Sequence, residues 1–108
     1  MLTTNTSVLA RRIWIAEDYH TLPYEAGWAS EALFFVQAEG EHPNLTITVQ
    51  VSPDGITWIP RGDSVDLTAD EHLVEIGVTR FGNWLRLVAA GATESQQARV
   101  LIHLNLKG

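Results

Sequence analysis

Between Leu45 and Ser52 apolar and polar residues alternate without a break. Leu45, Ile47, Val49 and Val51 fall on one face and Thr46, Thr48, Gln50 and Ser52 on the other, the period-two signature of a strand with one buried side. Ser52-Pro53-Asp54-Gly55 then fits a type I turn, with Gly55 free to take positive φ and form a bulge. Alternation resumes through Ile56-Thr57-Trp58, so the segment predicts a β-hairpin.

The same period recurs on both sides of the hairpin. Val8 to Glu17 predicts a first strand, with Leu9, Arg11, Ile13 and Ile15 opposite Ala10, Arg12, Trp14 and Ala16. Asp18 to Ser30 holds Pro23, Gly27 and no sustained period, and it carries Tyr19, Tyr24 and Trp28, which predicts a long aromatic loop. Ala32 to Ala38 is a second strand, apolar on both faces. Beyond Trp58 and Ile59, Pro60 is expected to stop pairing, Arg61-Gly62-Asp63 to bend the chain, and Ser64 to Leu67 to form a short strand. Val74 to Thr79 and Trp84 to Ala90 read as adjacent antiparallel strands. A final strand follows, in which Val100, Ile102, Leu104 and Leu106 alternate with Arg99, Leu101, His103 and Asn105. Short strands without a helix predict an all-β domain, a single antiparallel β-sandwich or jelly roll of seven to eight strands. The polar residues 1–7 are expected to form an N-terminal arm packed on the domain or a neighbour, with the β-sandwich over residues 8–108.

Composition narrows the options. A chain of 108 residues is large enough to bury a core without staples, and it has no cysteine. Its formal net charge is -6 and its basic residues are scattered apart from the Arg11-Arg12 pair, so no stripe that could track phosphates exists and nucleic acid is not an expected partner. The first seven residues lack a basic region and a long apolar run, so neither a signal peptide nor a membrane anchor is expected. Synthesis in the cytoplasm follows, with a virion or an extracellular assembly as the open destination.

Ser52-Pro53-Asp54-Gly55-Ile56-Thr57-Trp58 resembles the S-x-D-G-x-x-W hairpin of discoidin-like, galactose-binding-like β-sandwiches. Phe81-Gly82-Asn83-Trp84-Leu85-Arg86-Leu87 is similar to their penultimate strand, R-[YF]-[VL]-R-[VIL]. Similar pairs occur in small structural proteins of phage particles and related bacterial assemblies, which are closer in length. The resemblance implies sandwich architecture and a coat, decoration or fibre role. It transfers no ligand site, because the binding loops of the discoidin-like group have no residue-level match here.

Candidate chemistry is sparse. His20, His42, His72 and His103 never stand at metal-ligand spacing, and they are expected as ordinary surface or loop residues. In the acidic stretch Asp63, Asp66, Asp70 and Glu71, the apolar Val65 and Leu67 occupy positions where a calcium loop needs oxygens. No nucleophile elbow, phosphate loop or announced triad is present, so no enzyme activity and no cofactor are expected. Arg61-Gly62-Asp63 copies an integrin-binding tripeptide, yet these are natural turn residues. Tyr19, Tyr24 and Trp28 could stack on a sugar, anchor a partner or cap the core. Trp58 and Trp84 read as core, and Arg86 as facing solvent or an acidic neighbour.

The informative excess lies in the first two strands. A sandwich buries one face of each strand, so with Ile13, Ile15, Phe34 and Val36 inside, Trp14, Leu33 and Phe35 form an outward apolar patch of the kind that marks association, and the reverse phasing, with Ile13, Ile15 and Leu33 outside, carries the same implication. The expected function is therefore a non-enzymatic structural subunit that self-assembles into a coat, fibre or decorated particle. Its expected partners are further copies of itself and, as an open possibility, another structural protein. The alternative is a carbohydrate-binding module built on Tyr19, Tyr24 and Trp28.

Overall fold

The structure, a computed structural model, describes residues 3–108. Ten strands follow one another: β1 (Thr4–Ile15), β2 (Tyr19–His20), β3 (Tyr24–Glu25), β4 (Glu31–Glu39), β5 (Leu45–Ser52), β6 (Ile59–Pro60), β7 (Val65–Leu67), β8 (Leu73–Thr79), β9 (Trp84–Ala90) and β10 (Ala98–Lys107). Among the described residues there is no helix. The first sheet runs β1-β10-β4-β8, and the second has β9 and β5 at its centre, all neighbours antiparallel. β2 and β3 share one edge of β9, and β6 and β7 share the free edge of β5. Each couple is thus a single interrupted edge strand. Apart from the β5–β6 hairpin, successive strand positions switch sheets along the chain, the wrap of a jelly roll.

The switching corrects one expectation. β8 and β9 are not neighbours; they lie in different sheets. Between them Arg80 has φ 54° and Gly82 has φ 71°, and two left-handed residues in so short a span turn the chain across the sandwich instead of back on itself.

Alternation reads out directly in the core. Phe34 and Val36 of β4, Ile102, Leu104 and Leu106 of β10, Leu45, Ile47 and Val49 of β5, and Leu85 and Leu87 of β9 are all fully buried between the sheets. Each such side chain contributes about 1.5–3 kcal/mol relative to its exposed state. β1 departs from strict alternation, because its register with β10 shifts between Val8 and Ala10 and again between Ala10 and Ile13. Arg12 takes φ 48° in the second irregularity. The two arginines swing outward there, and Ala10 and Ile15, of opposite parity, both reach the core. The strand also begins at Thr4 and not at Val8, so residues 4–7 form the first rungs of its ladder with β10. Thr3 and Gly108 close that end, each donating its N–H to the other's carbonyl at 3.0 and 2.9 Å.

The hairpin turn is wider than alternation suggests. Ser52 Oγ accepts from the N–H groups of Asp54 (3.2 Å) and Gly55 (2.8 Å), and Gly55 takes φ 79° as anticipated. Asp54 Oδ1 then accepts from Ile56 and Thr57, both at 2.9 Å. These bonds hold Ile56 and Thr57 in the turn, so pairing resumes only at Ile59 and Pro60, opposite Val51 and Gln50. Pro60 is tolerated because β6 is an edge strand. The same backbone donors, followed by Ser52, draw the Asp54 carboxyl below its ordinary value.

Candidate functional site

The outer face of the first sheet carries apolar side chains from all four of its strands, while the exposed Leu22, Ile56 and Ile59 lie singly at the edges and hairpin turn of the second sheet. Its register sets Val8, His103, Phe35 and Glu75 in one row across all four strands, Leu101, Gln37 and Leu73 in a second, and Asn105, Leu33 and Gly77 in a third. Leu33, Phe35 and Leu101 are half-buried, while Leu73 is 56% exposed. Trp14, 61% exposed, stands at one end of the face beside Arg99. Leu101 lies between it and Phe35 along β10. Of the residues expected to face outward, Trp14, Leu33 and Phe35 are all on this surface. Val8, Leu73 and Leu101 belong to it as well. Leu101 was readable in the sequence, since it makes β10 apolar on both parities between Val100 and Ile102.

Charge sits at the margin of this patch. Glu39 Oε1 lies 3.1 Å from Arg12 Nε and 3.9 Å from Arg99 Nε, so the bulge in β1 is tied to β4 across β10. At the opposite end, the missing side chain of Gly77 opens a groove of about 320 Å3 lined by Glu31, Leu33, Thr79, Asn105 and Lys107.

The aromatic loop is not a loop. β2 and β3 place Tyr19 opposite the buried Ala89 and Tyr24 opposite the buried Leu85, so both rings turn inward and pack on the core. The Tyr24 hydroxyl shares a 2.8 Å hydrogen bond with Ser7 Oγ, which closes the side of the sandwich against β1. Trp28 is 49% exposed and lies against Gly108. The three rings therefore do not share one surface, and the capping role fits Tyr19 and Tyr24. Where Leu22-Pro23 interrupts this edge, Thr21 keeps the ladder satisfied: it is fully buried, its N–H donates to the Leu87 carbonyl at 3.0 Å, and its Oγ1 accepts from the Leu87 N–H at 3.0 Å.

On the outer face of the second sheet the polar side chains pair with one another beside Trp58, Trp84 and Val88. Thr48 Oγ1 and Ser64 Oγ share a hydrogen bond of 2.8 Å, and Arg86 Nε donates to Gln50 Oε1 at 2.7 Å. The Arg86 guanidinium lies 4.4 Å from the centre of the Trp58 ring, a cation-π contact. Burial pulls its pKa below the ordinary value. Trp84 packs on the hairpin turn at Gly55. Trp58 and Trp84 are thus half-buried on this face and are not core, because both follow the hairpin turn and not the inward parity of β5 and β9.

Other sequence features have structural uses. Arg61 Nε donates to the Thr79 carbonyl at 3.1 Å, which fixes the Arg-Gly-Asp turn to β8. Thr68 Oγ1 donates to Asp70 and Glu71, so these carboxylates close a turn, and the Thr68 hydroxyl is the leading cause of the lowered Asp70 pKa. His42 is buried, with its ring nitrogens 2.8 and 2.6 Å from the carbonyl oxygens of Pro43 and Glu71. Among the described residues, no three metal-ligating side chains converge.

Residues 28–108 match the model of a family described as a domain of unknown function, DUF6385. No curated protein sequence matches the chain. Among solved structures, the PBSX exported protein XepA superposes with a TM-score of 0.75 at 16% identity over 94% of this chain, which spans only 36% of the XepA chain. A protein of the Bacillus endospore appendages, described as disulfide-linked pili, gives 0.55 at 11% identity over 97% of this chain and 87% of its own. A chain of Triatoma virus gives 0.53 at 11% identity over 96% of this chain and 61% of its own. At these identities the shared property is the fold, and the likeness to small structural β-sandwich proteins holds at that level.

Proposed function

This chain belongs to the DUF6385 family, and from that premise we propose that it is a non-enzymatic structural subunit that associates with further copies of itself through the outer face of its first sheet. The observation that carries the reading is the exposed apolar surface of Trp14, Leu73 and Val8 around the half-buried Leu33, Phe35 and Leu101. Exposed apolar surface gathered on one sheet face is a mark of association surfaces. Covering a few hundred Å2 at roughly 25 cal/mol per Å2 yields several kcal/mol, which offsets much of the cost of association. A fold shared with an exported protein, a spore-appendage pilus protein and a virus chain supports a place in a virion or an extracellular assembly. Sedimentation velocity and negative-stain images of the untagged protein test the reading. Species well above 12.0 kDa that shrink when Trp14 and Phe35 become serine are expected, and unchanged assembly in that variant contradicts it.

A carbohydrate-binding role is favoured by a different surface from the one the sequence suggested. With Tyr19 and Tyr24 turned inward, the platform passes to Trp58, which is flanked by the hydrogen-bonding groups of Arg86 and Gln50. Glycan-array binding that disappears in Trp58→Ala and Arg86→Ala supports this role, and silence across a broad array removes it.

A further inference from the structure

A sandwich has four sheet edges, and three of these are spoiled for pairing. β1 is bulged twice, with Arg12 at φ 48° and Arg11 beside it. The β2–β3 edge is split by Leu22-Pro23, and the β6–β7 edge carries Pro60 and a left-handed Gly62. Bulges, prolines and short segments are the ordinary means of keeping an edge from recruiting another chain. β8 has none of them. It runs unbroken from Leu73 to Thr79 with no proline and no register shift against β4.

The free backbone groups of β8 can be assigned. The Ala38 N–H donates to the His72 carbonyl at 2.9 Å, which makes Ala38 and His72 a hydrogen-bonded pair at the start of the β4–β8 ladder. Such pairs alternate along an antiparallel ladder, so Val74, Ile76 and Val78 bond to β4 while Leu73, Glu75, Gly77 and Thr79 aim their N–H and C=O groups outward, the Thr79 carbonyl already accepting one bond from Arg61 and keeping its second lone pair. The Arg61 bond to the Thr79 carbonyl confirms that phase.

We propose that β8 pairs antiparallel with β8 of a second copy about a two-fold axis at Ile76, joining two first sheets into one. The inference rests on the self-association reading above and adds a second contact, along the sheet edge. In this register Glu75 of each copy meets Gly77 of the other, and the side chain of Glu75 enters the groove that Gly77 leaves open, toward Thr79, Asn105 and Lys107. Centring the axis on Glu75 instead would set like charges opposite each other. On the inner side Val74 faces Val78 and Ile76 faces Ile76, a β-branched row suited to a strand pair. A symmetric, self-complementary contact closes as a dimer, and it doubles the apolar outer face available for higher assembly.

Because the chain has no cysteine, the register can be read by cross-linking. It places Leu73 opposite Thr79 of the second copy, within disulfide reach, and each residue far from its own counterpart. In Leu73→Cys/Thr79→Cys, mild oxidation should convert most of the protein to a disulfide-linked dimer, while either single variant should give less than a tenth as much. Gly77→Val fills the groove with its Cβ 3.4 Å from the flexible Leu33 side chain and 3.7 Å, an ordinary contact, from the Ala32 carbonyl oxygen, so it should keep the fold by circular dichroism and weaken the dimer at least tenfold. If sedimentation shows association but the double variant does not cross-link, this contact is overturned and the apolar-face reading survives. A monomer at every concentration overturns both.

Discussion

The two outer faces of this sandwich come from strands of the same length class and similar β-propensity, yet they end in opposite states. On the second sheet the polar side chains find partners within the molecule: Thr48 with Ser64, Thr46 with Asp66, and Arg86 with Gln50 and Trp58. On the first sheet the central row carries Phe35 between His103 and Glu75, and Leu33, Leu101 and Leu73 stand around it, interleaved with Gln37 and Asn105. A face that satisfies itself has little to gain from a neighbour. A face whose surplus is apolar gains by being covered, since the gain scales with area removed from water. Residue type at the outward parity, more than fold, decides which sheet is the social one.

That contrast makes graded predictions. The largest effect belongs to the apolar face: Trp14→Ser with Phe35→Ser should weaken self-association on the order of a hundredfold, as expected for aromatic anchors, and Thr48→Val on the other face should leave sedimentation unchanged. Next comes the claim that the second sheet is self-sufficient down to its backbone. Thr21→Val strands the buried Leu87 N–H and should lower folding stability by about 2 kcal/mol in urea titrations. Arg86→Ala should cost about 1 kcal/mol through its stacking and its bond to Gln50, again with no change in assembly.

The smallest effect is the pH response of the hairpin. The fold depresses the Asp54 pKa from its ordinary 3.8, so the native state holds the carboxylate more strongly than the unfolded chain does. The contribution is therefore complete above pH of about 4 and fades as pH falls through the depressed value. Melting curves of Asp54→Asn should show a shallower decline in this acid window than those of the parent chain.

Most of the architecture was legible because burial on one side writes itself as alternation. β4, β5, β9 and β10 lie within a residue or two of where their patterns put them, and the phasing that sends Trp14, Leu33 and Phe35 outward is the one observed. Illegible were features set by local hydrogen bonds or by partners distant in sequence. Nothing in Asp18 to Ser30 announces that Tyr19 and Tyr24 would find Ala89 and Leu85 of β9, far along the chain, because two-residue strands have no period to detect. The Asp54 carboxylate postponed the return strand by capturing two N–H groups. Trp58 looked apolar in the sequence and became a lid only once Arg86 was delivered beneath it by a strand from another part of the chain.

The reciprocal bonds between Thr3 and Gly108 bring the first and last described residues of the domain together at one corner. A domain whose ends meet can be spliced into a surface loop of a longer polypeptide without prying that loop apart. It can also be cut elsewhere and resealed. A short glycine linker from Gly108 back to Thr3, with a new opening at the exposed Pro53–Asp54 turn, would give a circularly permuted chain that keeps both sheets and moves its termini from the first sheet to the second.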